Sequence, residues 1–262
     1  MKITSIIKAA LAAAAFYGAV ASAQTYTYNP GDLLAAFRQT GSPDLIVDLG
    51  SITQFEWPNA TANNPINLTG VSSALASTYG SLNGLYWSVF TYVGTTSSLG
   101  SANTLWLSDP RSDVNIQTAA PRSASFNSQG YVIGEMSAIV DATKSGFATI
   151  IADQAVQLSS GLNEGGDPIS YTVGVGTYGD FNGTLRGTVE NYTGASFVSG
   201  SSVSDLYQQN PGTANLGTYL GDFSLESSGS FAFNPVPEPS TWAMLGAGMM
   251  TLFAIRRFGR NE

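Results

Sequence analysis

The segment Leu85-Tyr86-Trp87-Ser88-Val89-Phe90-Thr91-Tyr92-Val93 carries the clearest structural signal in this chain of 262 residues. Aromatic and β-branched residues fill it, and Gly94 follows at once. Such side chains fit the surface of a pleated sheet, so the segment is predicted to form a β-strand. Trp87 and, in a later apolar run, Trp106 are expected to lie in the hydrophobic core.

Short apolar runs recur along the rest of the chain, separated by Gly, Ser, Asn or Pro. Further strands are predicted at residues 45–49, 104–107, 171–178, 185–192, 216–225 and 231–233. Asn182-Gly183 lies between two of these runs and is a hairpin signal. Many short strands with glycine-rich turns favour a sandwich or barrel. We therefore predict a mostly β body with sandwich-like antiparallel sheets.

Only one or two short helices are expected. Residues 33–37 are predicted to form one helical turn after Asp32, whose side chain suits an N-cap. Residues 71–79 and 202–208 are two further short candidates. The longest predicted helix covers residues 137–157, and Gly146 interrupts it, since an internal Gly costs about 1 kcal/mol relative to Ala.

The composition excludes several classes of chemistry. The chain has no Cys and no His, so it has no disulfide framework, thiol nucleophile, Ser-His-Asp triad or histidine metal ligand. Residues 24–236 hold 16 acidic and five basic side chains. This acidity argues against a nucleic-acid partner and against docking of the body on an anionic membrane. No cofactor is expected.

The first 23 residues have the three parts of a secretory signal peptide. Lys2 and Lys8 precede a helical apolar run at 9–20, and Ala21 and Ala23 are the small residues that signal peptidase reads. Cleavage is predicted after Ala23. A permanent membrane anchor is the less favoured alternative, because the apolar run is shorter than the roughly 20 residues that span a bilayer.

The last residues, 236–262, also have three parts. The first is an extended processing segment, because proline disfavours a helix there: Pro237, Glu238 and Pro239. Residues 241–255 are uncharged and mostly apolar, and they predict a single short transmembrane helix of about 22 Å. Three basic residues beyond it act as a stop-transfer signal that stays in the cytoplasm: Arg256, Arg257 and Arg260.

This arrangement resembles the PEP-CTERM sorting signal. The resemblance rests on Val236-Pro237-Glu238-Pro239-Ser240-Thr241-Trp242, the apolar helix and the terminal arginines, in that order. It implies recognition by exosortase, a membrane-embedded cysteine protease or transpeptidase of exopolysaccharide-producing Gram-negative bacteria. It also implies cleavage near the Pro-Glu-Pro triplet and transfer to the cell surface. An ordinary tail anchor with a proline-rich spacer is the alternative.

The chain is therefore expected to consist of a signal peptide (1–23), a secreted β-rich domain (24–235) and a sorting signal (236–262). We expect a non-enzymatic protein of the cell surface or extracellular matrix of a biofilm-producing bacterium. Its expected partners are signal peptidase, exosortase and, transiently through the tail helix, the inner membrane. One alternative is a carbohydrate-binding module for exopolysaccharide, with calcium as an aid. A second is a carboxylate-dependent glycoside hydrolase or lyase.

The body contains two candidate ligand sites. Asp180 and Asn182 lie in an oxygen-rich turn of the kind that Ca²⁺ uses, but the turn lacks the full calcium-loop pattern, and a plain β-turn explains it as well. Trp57, which precedes Pro58 in a polar loop, is the aromatic side chain best placed to stack on a sugar. No pair of acids stands in a glycosidase motif, so no catalytic residue is assigned.

Overall fold

The computed structural model describes residues 26–39, 41–56, 59–60, 65–144, 148–152, 154–158, 189–194, 197, 200–236 and 249–250. The strands in these ranges are β1 (Asp32–Arg38), β2 (Asp44–Ser51), β3 (Ile66–Asn67), β4 (Tyr86–Val93), β5 (Thr104–Pro110), β6 (Ala148–Ala152), β7 (Ala155–Leu158), β8 (Asn191–Tyr192), β9 (Ser201–Gln209), β10 (Thr218–Glu226) and β11 (Phe231–Pro235). The longer helices are α1 (Thr69–Thr78) and α2 (Phe126–Thr143), and a 3₁₀ helix, η1 (Ile52–Phe55), follows β2.

The described strands form one antiparallel sheet. Its order is β3-β11-β10-β9-β5-β4-β1-β2-β7-β6, and β8 pairs with the start of β4. The central strand β4 is bonded to β1 along one edge, for example Phe37 opposite Trp87, and to β5 along the other. This central position agrees with the strong strand signal of the segment that contains β4.

The sheet curls so that one of its faces packs against itself. β11 and β1 are five strand spacings apart, which is about 24 Å along a flat sheet. Yet the ring centroids of Phe37 on β1 and Phe231 on β11 are 5.6 Å apart, and those of Trp87 and Phe231 are 5.4 Å apart. The strand β11 therefore forms an inner wall of the core.

Each face of the sheet covers its own hydrophobic cluster. The inner cluster lies within the curl, where Phe55 of η1 packs on Phe233 with ring centroids 5.2 Å apart and α1 adds Leu75. The outer cluster lies under α2, whose Val132 and Met136 pack with residues of β1, β2 and β4. The middle strands are thus buried on both faces.

Much of the predicted fold is confirmed. The body is mostly β and antiparallel, and predicted strands at 45–49, 85–93, 104–107, 216–225 and 231–233 overlap observed ones. The helix predicted at 71–79 corresponds to α1. Trp87 and Trp106 are fully buried, as expected. The separate sheets of a sandwich are replaced by a single curled sheet, because hydrogen bonds join all the described strands.

Two predicted helical segments are strands instead. Residues 33–37 belong to β1, and they resembled a helix because burial on both faces makes the run continuously apolar, without strand-like alternation. Residues 202–208 belong to β9, where hydrogen bonding to β5 and β10 on its two edges overrides the local preference.

The long helix predicted at 137–157 is wrong in its second half. The helix α2 ends at Thr143, and β6 and β7 follow in the same range. β-Branched residues dominate there, including Thr149, Ile150 and Val156, and they favour strands. The run at 171–178, the first half of the run at 185–192 and the turn at Asn182-Gly183 lie outside the described residues, and the end of the second run forms β8.

Phe231→Ala should reduce the free energy of unfolding by about 3–5 kcal/mol, because a fully buried aromatic ring is lost where the curled sheet closes. Urea unfolding at neutral pH measures this change. The matched control is Phe126→Ala, whose side chain is 55% exposed, and its effect should stay within about 0.5 kcal/mol. Equal losses for the two variants would contradict the inner-wall position of β11.

Candidate functional site

The sorting junction is the place where the folded body meets the C-terminal tail. The strand β11 runs to Pro235, which is buried. The backbone N–H of Val236 then donates to the carbonyl oxygen of Leu220 at 3.2 Å. The sheet therefore holds the chain up to the residue immediately before Pro237.

A glycine makes this close approach of β10 and β11 possible. Gly221 has a φ of +149° and lies opposite Pro235, next to an irregularity in the pairing of β10 with β9. A Cβ atom on Gly221 would lie 2.4 Å from the carbonyl oxygen of Asn234 and 2.9 Å from the Cα atom of Pro235. Any larger residue would push the end of β11 away from β10.

A buried ion-pair network stabilises the position of β11 at the junction. Asn234 donates its amide to Asp222 Oδ1 at 3.0 Å, and Arg111 Nη2 donates to the other oxygen of that carboxylate at 3.2 Å. The same Arg111 nitrogen also donates to Asp205 Oδ1 at 2.6 Å. Asp205 is fully buried, and its second oxygen accepts the backbone N–H of Thr118 at 2.6 Å. One arginine thus links β9, β10 and the residue before Pro235.

The electrostatics of this network keep Arg111 charged. Burial on its own disfavours the guanidinium ion, but Asp205 and Asp222 outweigh that effect and raise the pKa of Arg111. Burial and then the nearby Asp222 raise the pKa of Tyr219, whose hydroxyl accepts from Arg111 at 3.2 Å. Arg111 therefore stays a cation that ties Asp205 of β9 to Asp222 of β10.

A second ion pair lies near the opposite end of the sheet. Arg38 donates two hydrogen bonds of 2.7 Å to the two carboxylate oxygens of Glu190, and its guanidinium carbon lies 4.0 Å from the ring centroid of Tyr86. Asp44 is 3% exposed, and its Oδ2 has no hydrogen-bond partner in the described part of the chain. Burial raises the pKa of Asp44 to about 8, against the opposing charge of Arg38. Asp44 is thus protonated at neutral pH, so Glu190 is the carboxylate that forms the ion pair with Arg38.

Two acids share an open cavity at the start of β1. Asp32 and Asp48 line a space of about 390 Å³ together with Asn29, Ser51 and Gln154. Burial, more than the neighbouring Asp32, raises the pKa of Asp48 to about 7. Each carboxyl also accepts a backbone N–H of a neighbouring residue: Asp32 Oδ2 accepts that of Asn29 at 2.8 Å, and Asp48 Oδ1 accepts that of Gly50 at 2.7 Å.

The site residues predicted from the sequence lie outside the described residues. They are Ala21, Ala23, Trp57, Asp180, Asn182, Pro237, Glu238, Pro239, Arg256, Arg257 and Arg260. Sequence reasoning did not assign Arg38 and Arg111, although their rarity was a signal: they are two of only five basic residues in 24–236. Their acidic partners are 152 and 94 positions away, and no sequence pattern links residues so distant.

Within the described ranges, no three His, Cys, Asp or Glu side chains are grouped so that they could hold a metal ion. Among these same residues, no helix combines the length and the apolar composition needed to cross a membrane.

Arg111→Ala should lower the free energy of unfolding by about 3–5 kcal/mol, because it leaves the fully buried Asp205 without its counter-charge. Urea unfolding of the purified body measures the loss. Arg122→Ala is the matched control, since Arg122 is exposed, and it should change stability by no more than about 0.5 kcal/mol. A loss for Arg111→Ala as small as that of the control would rule out the ion-pair network.

Stability should fall as the pH rises from 5 to 9. The raised pKa of Asp44 means that the folded state holds a proton that the unfolded chain releases above its ordinary value of 3.8. The resulting stabilisation is complete below that value and is lost as the pH rises through about 8. Asp48, with a pKa raised to about 7, adds to the same slope.

The melting temperature between pH 5 and 9 measures this slope. Asp44→Asn should reduce the slope to the part that Asp48 contributes, because an amide cannot release a proton, whereas Asp113→Asn, at an exposed position, should leave it unchanged. An Asp44→Asn curve parallel to the wild-type curve would show that Asp44 does not titrate as described.

Comparisons with known proteins give one match, and it falls on the sorting junction. No curated protein and no solved structure matches the chain. Residues 235–257 match the family model of the PEP-CTERM protein-sorting motif. This motif implies a secreted protein that exosortase processes. The match begins at the last residue of β11, so this chain carries a PEP-CTERM sorting signal attached directly to a folded β body.

Proposed function

We propose that this protein is a non-enzymatic component of the cell surface or extracellular matrix, delivered by its sorting tail. Signal peptidase removes residues 1–23, and the tail helix holds the body at the periplasmic face of the inner membrane. Exosortase then cleaves near Pro237-Glu238-Pro239 and releases or transfers the body, while Arg256, Arg257 and Arg260 stay behind.

The position of β11 is the observation that carries this proposal. Phe231 and Phe233 are fully buried in the inner cluster, so the body needs the whole of β11 to complete its core. Val236 makes the last hydrogen bond between the described C-terminal segment and the sheet. A cut at the Pro-Glu-Pro triplet therefore removes the tail and leaves every described strand in the product.

The two buried ion-pair groups, one around Arg111 and one around Arg38, support a structural role for the body. Arg111 is bonded to two aspartates and Arg38 to Glu190, so both cations are used within the fold. These contacts support the non-enzymatic alternative over the glycoside hydrolase or lyase.

Truncation separates the body from the tail. A chain that starts at residue 24 and stops after Val236 should melt within about 2 °C of a chain that continues to residue 262, because both retain every described contact of β11. A chain that stops after Ser230 loses Phe231 and Phe233 and should not fold. Unfolding of the chain that stops after Val236 would show that the tail belongs to the body.

Processing in the native cells tests the delivery step. Replacing Pro237, Glu238 and Pro239 by Ala should keep the protein in the inner-membrane fraction, whereas the wild type reaches the medium or the cell surface. A variant with Pro211→Ala, outside the motif, is the control and should leave the cell like the wild type. Equal release of the triplet variant and the wild type would contradict exosortase processing at this motif.

A carbohydrate-binding role is the second candidate, and one observation favours it. Tyr131 is 73% exposed beside an uncharged cavity of about 390 Å³ that Asn103 and Asn127 also line. An exposed ring with neighbouring amides suits the apolar face and hydroxyl groups of a sugar. Calorimetry with the purified exopolysaccharide should detect heat of binding that Tyr131→Ala abolishes. Absence of heat with the wild type would remove this candidate.

A further inference from the structure

The tether between the body and the predicted tail helix is very short. Val236 is hydrogen-bonded to the sheet, and the apolar stretch of the tail begins at Thr241. Five residue steps span at most about 17 Å even when fully extended. The polar headgroup layer accounts for about 5–8 Å on each side of a bilayer. While the tail is inserted, Val236 therefore lies within about 10 Å of the membrane surface.

Three loops form one continuous surface at this end of the sheet, which we call the junction face: residues 94–103, 121–127 and 210–217. The backbone N–H of Gly212 donates to the carbonyl oxygen of Ala124 at 2.9 Å, and that of Ser123 donates to the carbonyl oxygen of Asn215 at 3.0 Å. The Asn103 side chain donates to the carbonyl oxygen of Phe126 at 3.0 Å. The last of these loops leads directly into β10, to which Val236 is bonded.

The junction face differs from the acidic body in its chemistry. Its three loops contain one charged residue, and that residue is the exposed cation Arg122. Leu216 pairs with Arg122 through a backbone bridge and is 58% exposed, and Phe126 is 55% exposed. A basic side chain among exposed aromatic and aliphatic groups is typical of surfaces that meet a bilayer interface.

The acids of the adjoining strands lie outside the three loops of the junction face, although Asp222 is bonded to Asn234 next to the junction. In β5, β9 and β10 they are Asp109, Asp205, Asp222 and Glu226, all beyond the ends that carry the junction face. Arg111 binds two of them. The junction face itself therefore carries no acid, and the acids at its end of the sheet include the buried Asp32 at the start of β1 and Asp222, which is paired with Arg111.

We propose that the junction face rests on the phospholipid headgroups of the inner membrane while the sorting tail is inserted. Arg122 contacts lipid phosphates, and Leu216 and Phe126 enter the headgroup layer. This contact orients the body and presents the residues after Val236 at the membrane surface, where a membrane-embedded protease reaches them. The proposal rests on the proposed function, because it requires the tail to be anchored.

Depth-dependent quenching tests the proposal in the full chain. The protein has no Cys, so a single introduced Cys carries a unique environment-sensitive fluorophore. Thr213→Cys and Ser98→Cys place the label on the junction face, and Ser228→Cys and Ser81→Cys place it at the opposite end of the sheet, all at exposed positions. Chain purified without residues 1–23 is reconstituted into phosphatidylethanolamine–phosphatidylglycerol vesicles with brominated lipid. Flotation reports whether the tail is inserted.

The junction-face labels should lose about half of their fluorescence, because they lie within the headgroup layer, and the labels at the opposite end, about 27 Å farther along the strands, should lose none. Adding Leu216→Asp to Thr213→Cys should reduce the quenching, and Ser228→Asp should not. Floating chains with unquenched labels, or with all labels quenched alike, would overturn the docking and leave the anchor in place. Chains that do not float would overturn the anchor and the docking together.

Discussion

The structure depends on the closure of the curled sheet, in which β11 packs against β1, the last and the first of the described strands in chain order. The ring of Phe231 meets Phe37 across the interior, although β11 and β1 are five strands apart in the sheet. This contact makes β11 indispensable to the core and so determines where the body ends. The end of the folded body and the start of the sorting motif therefore coincide at Pro235.

The junction makes that end well defined. Gly221 lets the end of β11 approach β10, and the Arg111 network ties Asn234 to two other strands. A loose end at this place would let the tether lengthen, and the body would then have no fixed position relative to the membrane. The same contacts that stabilise the sheet thus restrict how a processing enzyme meets its substrate.

The sequence was most informative where the signal was local. The strand around Trp87 and the PEP-CTERM resemblance depend on neighbouring residues, and they are confirmed by β4 and by the motif matched at residues 235–257. Residues 33–37 were misread because burial on both faces makes that run continuously apolar, and residues 202–208 were misread because β9 pairs with β5, far earlier in the chain. The Arg111 network was also missed, because Arg111 and Asp205 are 94 positions apart.

The central claim is that the body ends at Val236 and that everything after it is a removable signal. The intact mass of the protein isolated from its native cells tests this claim most directly. The account predicts a mature chain that begins at Gln24 and ends close to Pro237-Glu238-Pro239, with any added mass attached at that end. A mature chain that still contains Arg256 to Glu262 would make the tail a permanent anchor and would contradict the account.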